Sequence, residues 1–352
     1  MRRKILLGLT IVLLAAGGFA AWWLRPMPEL TVTTWAGVYG RAQAASQIVP
    51  YGTEHRVKTL IRQWSGDLDE IRRAVKTNQF VSDVYDLELP AAITACREGL
   101  LEPLDAAALP PGADGTPAAQ DFHKGMVGEC FAASAIYAQM IVCDGCQMPS
   151  DLGQLFAAVA QGQKIALQRG ARINLEMALL ADGVRADDVY EVLATPEGVV
   201  RAFARLDTIK PNIVWWEAVA EPVAMLKDGR ATFATALTGE VAAAQTLTIL
   251  PQQFYEADVL AIPKGTPRKE MAQDYVRYAT GSAPLAGMAR FAPFMPPRRS
   301  ALALVQQLPP GPQAAFVLSQ KGMLEKSFAV DNEWWREHGD ALEARFRFWA
   351  LG

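Results

Sequence analysis

The sequence predicts an α/β fold built on mainly parallel strands, and three observations carry that reading. Short β-rich runs alternate along the chain with amphipathic helical segments. The 352 residues are enough for two domains of about 150 residues each. Fifty-one percent apolar and 20% charged residues is the balance of a chain with a sizeable core, which excludes disordered and fibrous classes.

Taken in order, strands are predicted over 30–34, 57–61, 83–87, 132–142, 164–167, 212–215, 231–236 and 259–262. Each is a run rich in apolar, β-branched or aromatic residues. Helices are predicted over 67–76, 150–160, 173–180, 196–206 and 269–278, where apolar residues recur at three- and four-residue spacing. Ser150 and Asp151 open one of these, Thr195 followed by Pro196 and Glu197 opens a second, and Thr266-Pro267 opens a third. Residues 104–120 and the proline-rich 291–313 read as loops, and helix dominates the final forty residues or so. No repeat of fixed period is present.

The N-terminus sets the compartment. Arg2-Arg3-Lys4 precedes twenty uncharged residues, 5–24, the basic and apolar regions of an export signal. Gly18-Phe19-Ala20 offers small residues for cleavage, yet the stretch is also long enough to stay as a membrane anchor, with Trp22-Trp23 and Arg25 suited to the interface. No cysteine precedes Cys96, so a lipid anchor is excluded and a periplasmic location is expected. In an exported chain Cys96, Cys130, Cys143 and Cys146 read as structural bridges. Of three possible pairings, Cys96–Cys130 with Cys143–Cys146 leads. A redox role for Cys143-Asp144-Gly145-Cys146 is disfavoured because the motif follows a predicted strand instead of opening a helix.

The net charge of −3, without a basic cluster beyond the N-terminus except Arg298-Arg299, excludes a nucleic-acid footprint. Three scattered histidines, His55, His123 and His338, argue against a histidine-based metal site. No phosphate-binding loop or nucleophile elbow occurs, and Trp35-Ala36-Gly37-Val38-Tyr39-Gly40 supplies only two of the three glycines of a dinucleotide fingerprint. No cofactor and no catalysis are expected. What stands out are aromatic and acidic residues at the ends of predicted strands, where open α/β sheets bind ligands. These are Trp35 and Tyr39, then Tyr85, Asp86 and Glu88, then Trp215, Trp216, Glu217 and Glu221, and finally Tyr255, Glu256 and Asp258. Rings and carboxylates together suit an organic cation. The alternative reading makes Trp215 and Tyr85 core residues and Glu217 with Glu221 a solvated helix face. Glu88 and Asp258 flank apolar strands, where an isolated charge needs a reason.

In this order the motifs resemble those of periplasmic solute-binding proteins of ABC transporters, of the spermidine/putrescine-binding type. The resemblance runs from Leu30 to Trp349 through Leu30-Thr31-Val32-Thr33-Thr34-Trp35-Ala36-Gly37, Glu98-Gly99-Leu100-Leu101-Glu102-Pro103-Leu104-Asp105 and Leu175-Glu176-Met177-Ala178-Leu179-Leu180-Ala181-Asp182-Gly183-Val184. It continues through 202–211, Trp215-Trp216-Glu217, Leu260-Ala261-Ile262-Pro263-Lys264-Gly265-Thr266-Pro267, Trp334-Trp335 and Arg345-Phe346. It implies a two-lobed periplasmic-binding-protein-like (type II) α/β fold, two mainly parallel sheets and an interlobe cleft. After a signal or anchor over 1–28, lobe 1 would comprise 29–135 and 259–352 with its C-terminal helices, and lobe 2 would comprise 136–258. A monomer that closes on a small polar solute and docks on an inner-membrane ABC permease follows, with no nucleic-acid partner. Asp258 matches the family's amine-pairing aspartate and Trp35 lies in the loop lining the cleft. The chain departs from the polyamine pattern at Glu256, where the family has an aromatic residue, at Leu237-Thr238-Gly239-Glu240, and at Gln168-Arg169-Gly170-Ala171-Arg172, where it has an acidic pair. Arg169 and Arg172 in the cleft would repel a polyamine and could grip a carboxylate or phosphonate. An anionic or zwitterionic solute, or a cleft enzyme on the same scaffold, are the alternatives.

Overall fold

The computed structural model describes residues 26–64, 66–309, 311–322 and 326–351, so the signal or anchor expected over 1–28 lies almost wholly outside the described residues. Ten strands form among them: β1 (Glu29–Thr34), β2 (Lys58–Gln63), β3 (Val84–Glu88), β4 (Phe131–Asp144), β5 (Ile165–Gln168), β6 (Ile213–Trp216), β7 (Phe233–Leu237), β8 (Leu247–Ile249), β9 (Phe254–Ala261) and β10 (Phe328–Ala329). All eight predicted strands are present. β9 begins five residues earlier than its apolar run, because Tyr255 and Glu256 break the pattern by which a strand is read. The two- and three-residue strands β10 and β8 carry no pattern of their own.

The sheet runs in the order β2-β1-β3-β9-β4-β7-β5-β6, with β10 added to β9 and β8 to β4. β1 pairs in parallel with β2 and β3, and β5 in parallel with β6 and β7. Between these two parallel groups lie β4 and β9, antiparallel to each other and to β7 and β3. The two sheets of the expectation are thus joined in one path. At about 3.3 Å per residue the 14 residues of β4 cover about 45 Å, enough to serve both groups. Ile136 packs in one core with Leu30, Val32, Tyr85 and Val259, and Ile141 in another with Leu155, Leu175 and Phe233. The helix Asn332–Leu351, expected with the first lobe, places Trp335, Leu342 and Phe346 in that second core.

Caps behave as chemistry predicts at two of three sites. The Asp151 carboxylate accepts from the Gln154 amide at 2.8 Å, and Thr195 Oγ1 accepts from the Gly198 amide at 3.0 Å. Thr266 does not open the third helix, which spans Lys269–Ala279; its hydroxyl instead donates to Asp83 at 2.9 Å. The prolines of 291–313 bracket a helix, Arg299–Val305, that their density obscures in the sequence. No helix among the described residues is long and apolar enough to cross a membrane.

The bridges are Cys96–Cys130 and Cys143–Cys146, the second in a turn at the end of β4 and not at a helix start. The first spans 34 residues and the second 3. Loop-closure entropy therefore predicts that replacing Cys96 and Cys130 by serine costs about 4 kcal/mol and replacing Cys143 and Cys146 about 2 kcal/mol, read from urea unfolding of the two variants.

Candidate functional site

Cross-strand partners in a sheet point to the same side, so pairing register identifies which side chains share a face. Glu88 stands opposite Asp258, Asp86 opposite Leu260, Ala135 opposite Asp258 and Tyr137 opposite Glu256. Asp86, Glu88, Asp258, Glu256 and Tyr137 consequently line one face where β3, β9 and β4 meet. The β4–β9 register slips between Ala133 and Ala135, and the residue left over is Ser134. Its hydroxyl oxygen lies 3.0 Å from Asp86 Oδ2 and 3.2 Å from the backbone carbonyl of Asp258.

Asp86 is fully buried and gathers donors. Trp35 Nε1 donates to Oδ1 at 3.1 Å, while Tyr39 Oη at 2.8 Å, Ser134 Oγ and Gln43 Nε2 address Oδ2. The turn after β1 brings Trp35 and Tyr39 here. Gly37 takes a positive φ of 78°, and a Cβ on Gly40 would sit 2.0 Å from the Trp35 carbonyl oxygen. These two glycines serve a tight strand-to-helix turn and not a phosphate cradle. Burial outweighs the donors and lifts the Asp86 carboxyl to about 7.

Asp258 is 7% exposed, and neither its carboxylate nor that of Glu88 has a hydrogen-bond or ion-pair partner among the described residues. Burial first, then the charges of Asp86 and Glu88, push the Asp258 carboxyl well above the ordinary range. An unpaired buried carboxylate beside two more is costly unless a cation joins it.

Beyond Tyr137 the sign of the charge reverses. Arg172 forms an ion pair with Glu256 and donates to Asn332, and its Nε has no partner. The Tyr137 hydroxyl is raised by burial and then by Asp258 and Glu88, with Arg172 acting against them, so this ring stands within the field of both poles. Behind Arg172, Glu343 of the last helix accepts from the amides of Ala171 and Arg172 at 3.0 and 3.2 Å, fixing the arginine's loop. Glu176, fully buried, accepts from Trp335 Nε1 and from Tyr190 at 3.1 Å.

The remaining predicted residues lie apart from the unpaired acids. Arg169 pairs with Glu217 at 3.0 Å and lies 5.7 Å from the centre of the Trp215 ring. Glu221 accepts from the amides of Glu217 and Ala218 at 2.8 and 2.9 Å, which holds its carboxyl low and caps the turn after β6. Trp216 is 1% exposed in the core and donates to Thr235 at 3.2 Å. Among the described residues no hydrogen bond or ion pair links Arg169 or Glu217 with Asp258. Tyr255 and Glu256 line a cavity of about 910 Å³ that extends to Asn332, Tyr190 and along the helix Leu89–Arg97. Among the described residues no group of three or more His, Cys, Asp or Glu is placed to hold a metal ion.

Gln43, Ser134, Tyr137 and Asn332 escape a reading by sequence. Ser134 and Tyr137 are polar interruptions in the apolar run of β4, the one signal that pointed to them. Gln43 and Asn332 are buried polar residues on helices, where nothing local marks them.

The sequence profile of the bacterial extracellular solute-binding proteins matches residues 50–313. A γ-aminobutyric acid-binding protein of Pseudomonas aeruginosa is 34% identical over 340 residues, 94% of each chain. A solved structure described as a γ-aminobutyric acid receptor superposes with a TM-score of 0.75 at 26% identity, covering 92% of this chain and 97% of its own. The spermidine/putrescine-binding protein of Streptococcus pneumoniae superposes at 0.71 with 14% identity, covering 92% and 99%, a likeness of fold alone.

Because the folded state raises the Asp86 and Asp258 carboxyls, it binds protons that the unfolded chain does not. The gain in stability of the solute-free protein from these two groups should therefore grow as pH falls through about 7 and level off only near about pH 4, where the carboxyls of the unfolded chain protonate as well. Asp258→Asn, which cannot ionise, should flatten that pH dependence and gain stability over the natural protein only at the alkaline end of the range, measured by thermal melts.

Proposed function

The chain belongs to the bacterial extracellular solute-binding protein family, and from that premise we propose that its cleft captures a small zwitterion of the ω-amino acid type, with γ-aminobutyrate as the reference member. It is the solute-binding component of an ABC transporter, a receptor and not an enzyme. The observation that carries the reading is the pairing of opposite poles across Tyr137. Asp258 and Glu88 lack any partner on one side, and Arg172 has a free Nε on the other. An ammonium group would enter between Asp258 and Glu88, with the Trp35 ring, held by Asp86, as its aromatic neighbour. A carboxylate would take Arg172, whose planar fork suits it.

The two departures from the polyamine pattern, Glu256 and Arg172, pair with each other. That pairing neutralises Glu256, which leaves one carboxylate fewer for a second amine. The polyamine reading retains one support, the four carboxylates Asp86, Glu88, Glu256 and Asp258 on a single sheet face. On the proposed reading residues 29–135 and 259–331 form one jaw and 136–258 the other, the latter joined by the last helix, Asn332–Leu351, whose apolar face packs in its core; the jaws turn about β4 and β9 and present the closed form to an inner-membrane permease. Arg169, Glu217, Glu221, Trp216 and Tyr255 then build and stiffen the jaws around the pole residues.

Isothermal titration with γ-aminobutyrate, putrescine, spermidine and butyrate tests this. γ-Aminobutyrate should bind, and Arg172→Ala should weaken it by about 2–5 kcal/mol, the cost of stripping one partner from a buried charge pair. Tighter binding of putrescine or spermidine than of γ-aminobutyrate, unaffected by Arg172→Ala, would sink the zwitterion reading in favour of the polyamine one.

A further inference from the structure

Four carboxylates share the face where β3 and β9 meet, and among the described residues the charged and titratable groups around Asp258 can be named. β3 contributes Asp86 and Glu88, β9 itself contributes Glu256, and β4 contributes Tyr137 beside the Ser134 hydroxyl. The helix Gly37–Gln43 contributes Tyr39, whose hydroxyl touches Asp86 and Ser134, and the helix Lys269–Ala279 contributes Tyr275, which feels the charge of Asp86. Among the described residues the cation in reach is Arg172, and it is paired with Glu256. The tyrosines are all raised and stay neutral at physiological pH. The face is therefore left with Asp86, Glu88 and Asp258 and no compensating charge.

We infer that the solute-free cleft carries one proton on the Asp86–Asp258 pair and that the incoming ammonium displaces it to solvent, making capture and proton release a single event. The inference rests on the amine-binding reading given above. The asymmetry of hydrogen bonding says where the proton resides. Asp86 is served by Trp35, Tyr39, Gln43 and Ser134, all able to donate to a carboxylate, whereas the Asp258 side chain receives no donor. Charge is best held on Asp86 and the proton on Asp258. Neutral Asp258 needs no partner in its buried place, which explains how the empty site tolerates it. When an ammonium arrives it supplies the missing positive charge. The carboxylic acid becomes a carboxylate, the ammonium remains an ammonium, and the proton passes to buffer. Acidification reverses the balance and expels the solute, so the pair couples affinity to the pH outside the membrane.

The test is calorimetric. γ-Aminobutyrate is titrated into the protein in buffers of different ionisation enthalpy, and the slope of observed heat against that enthalpy counts protons. Neither end of the solute titrates between about pH 6 and about pH 9, so the count belongs to the protein. We expect release of about one proton per solute near pH 6, declining towards zero near pH 9, with affinity falling up to about tenfold per pH unit on the acid side. Asp258→Asn should lose both the binding and the release. Glu88→Gln, a change at an exposed residue, should keep the fold and shift the pH of half-release downwards, because it removes one of the charges that raises Asp258. Binding whose heat is independent of buffer at every pH would overturn the inference while leaving the amine-binding reading intact. No binding of γ-aminobutyrate, putrescine or spermidine at any pH would remove both.

Discussion

Two antiparallel strands must belong to two sheets at once, and the rest of the molecule is arranged around that requirement. β4 and β9 carry the pairing from one parallel group to the other, so their side chains are the ones that both halves share. A strand buried on both faces is ordinarily a continuous apolar run. Here the crossing region admits Ser134, Tyr137, Glu256 and Asp258, polar groups placed where the chain passes between its two cores. The bulge at Ser134 adds a hydroxyl at the point where Asp86 and the Asp258 backbone meet, which a regular ladder would have turned away.

From that crossing the electrostatics follow in sequence. Asp86 is saturated with donors and orders Trp35 and Tyr39, so its contribution is to fix aromatic groups more than to touch a solute. Asp258 is buried with nothing to meet it. Arg172 arrives from the opposite direction and is held by Glu256, Asn332 and, through its loop, Glu343. The Tyr137 hydroxyl, opposite Glu256 in the ladder, feels Asp258 and Glu88 in one sense and Arg172 in the other. On the proposed reading such a site would select its solute by the distance between charges.

Much of this was legible in the amino-acid sequence. The alternation of strand and helix patterns located eight of the ten strands, because each of those carries its own apolar run. The two that escaped, β8 and β10, exist only through pairing with β4 and β9. Compartment marked the four cysteines as bridges, and the pairing found is the leading one of the three that the sequence left open. Asp258 and Glu88 stood out because a charge beside an apolar strand is anomalous, and the fold leaves both carboxylates unpaired. Arg169 and Arg172 could not be separated by sequence, since both lie in one short loop after β5. Tertiary pairing separates them, Arg169 going to Glu217 and Arg172 to Glu256. Trp216 and Glu221 read as ligand contacts from their place at a strand end, but the core and a turn already occupy their polar atoms.

The grip of Glu343 on the amides of Ala171 and Arg172 has a practical reach. It ties the loop bearing the site's arginine to a helix whose outer side, at Phe348 and Leu351, stands 80% and 78% exposed. A fluorophore attached there would share a rigid body with the arginine while remaining clear of the bound molecule, turning the protein into an optical gauge of its own occupancy.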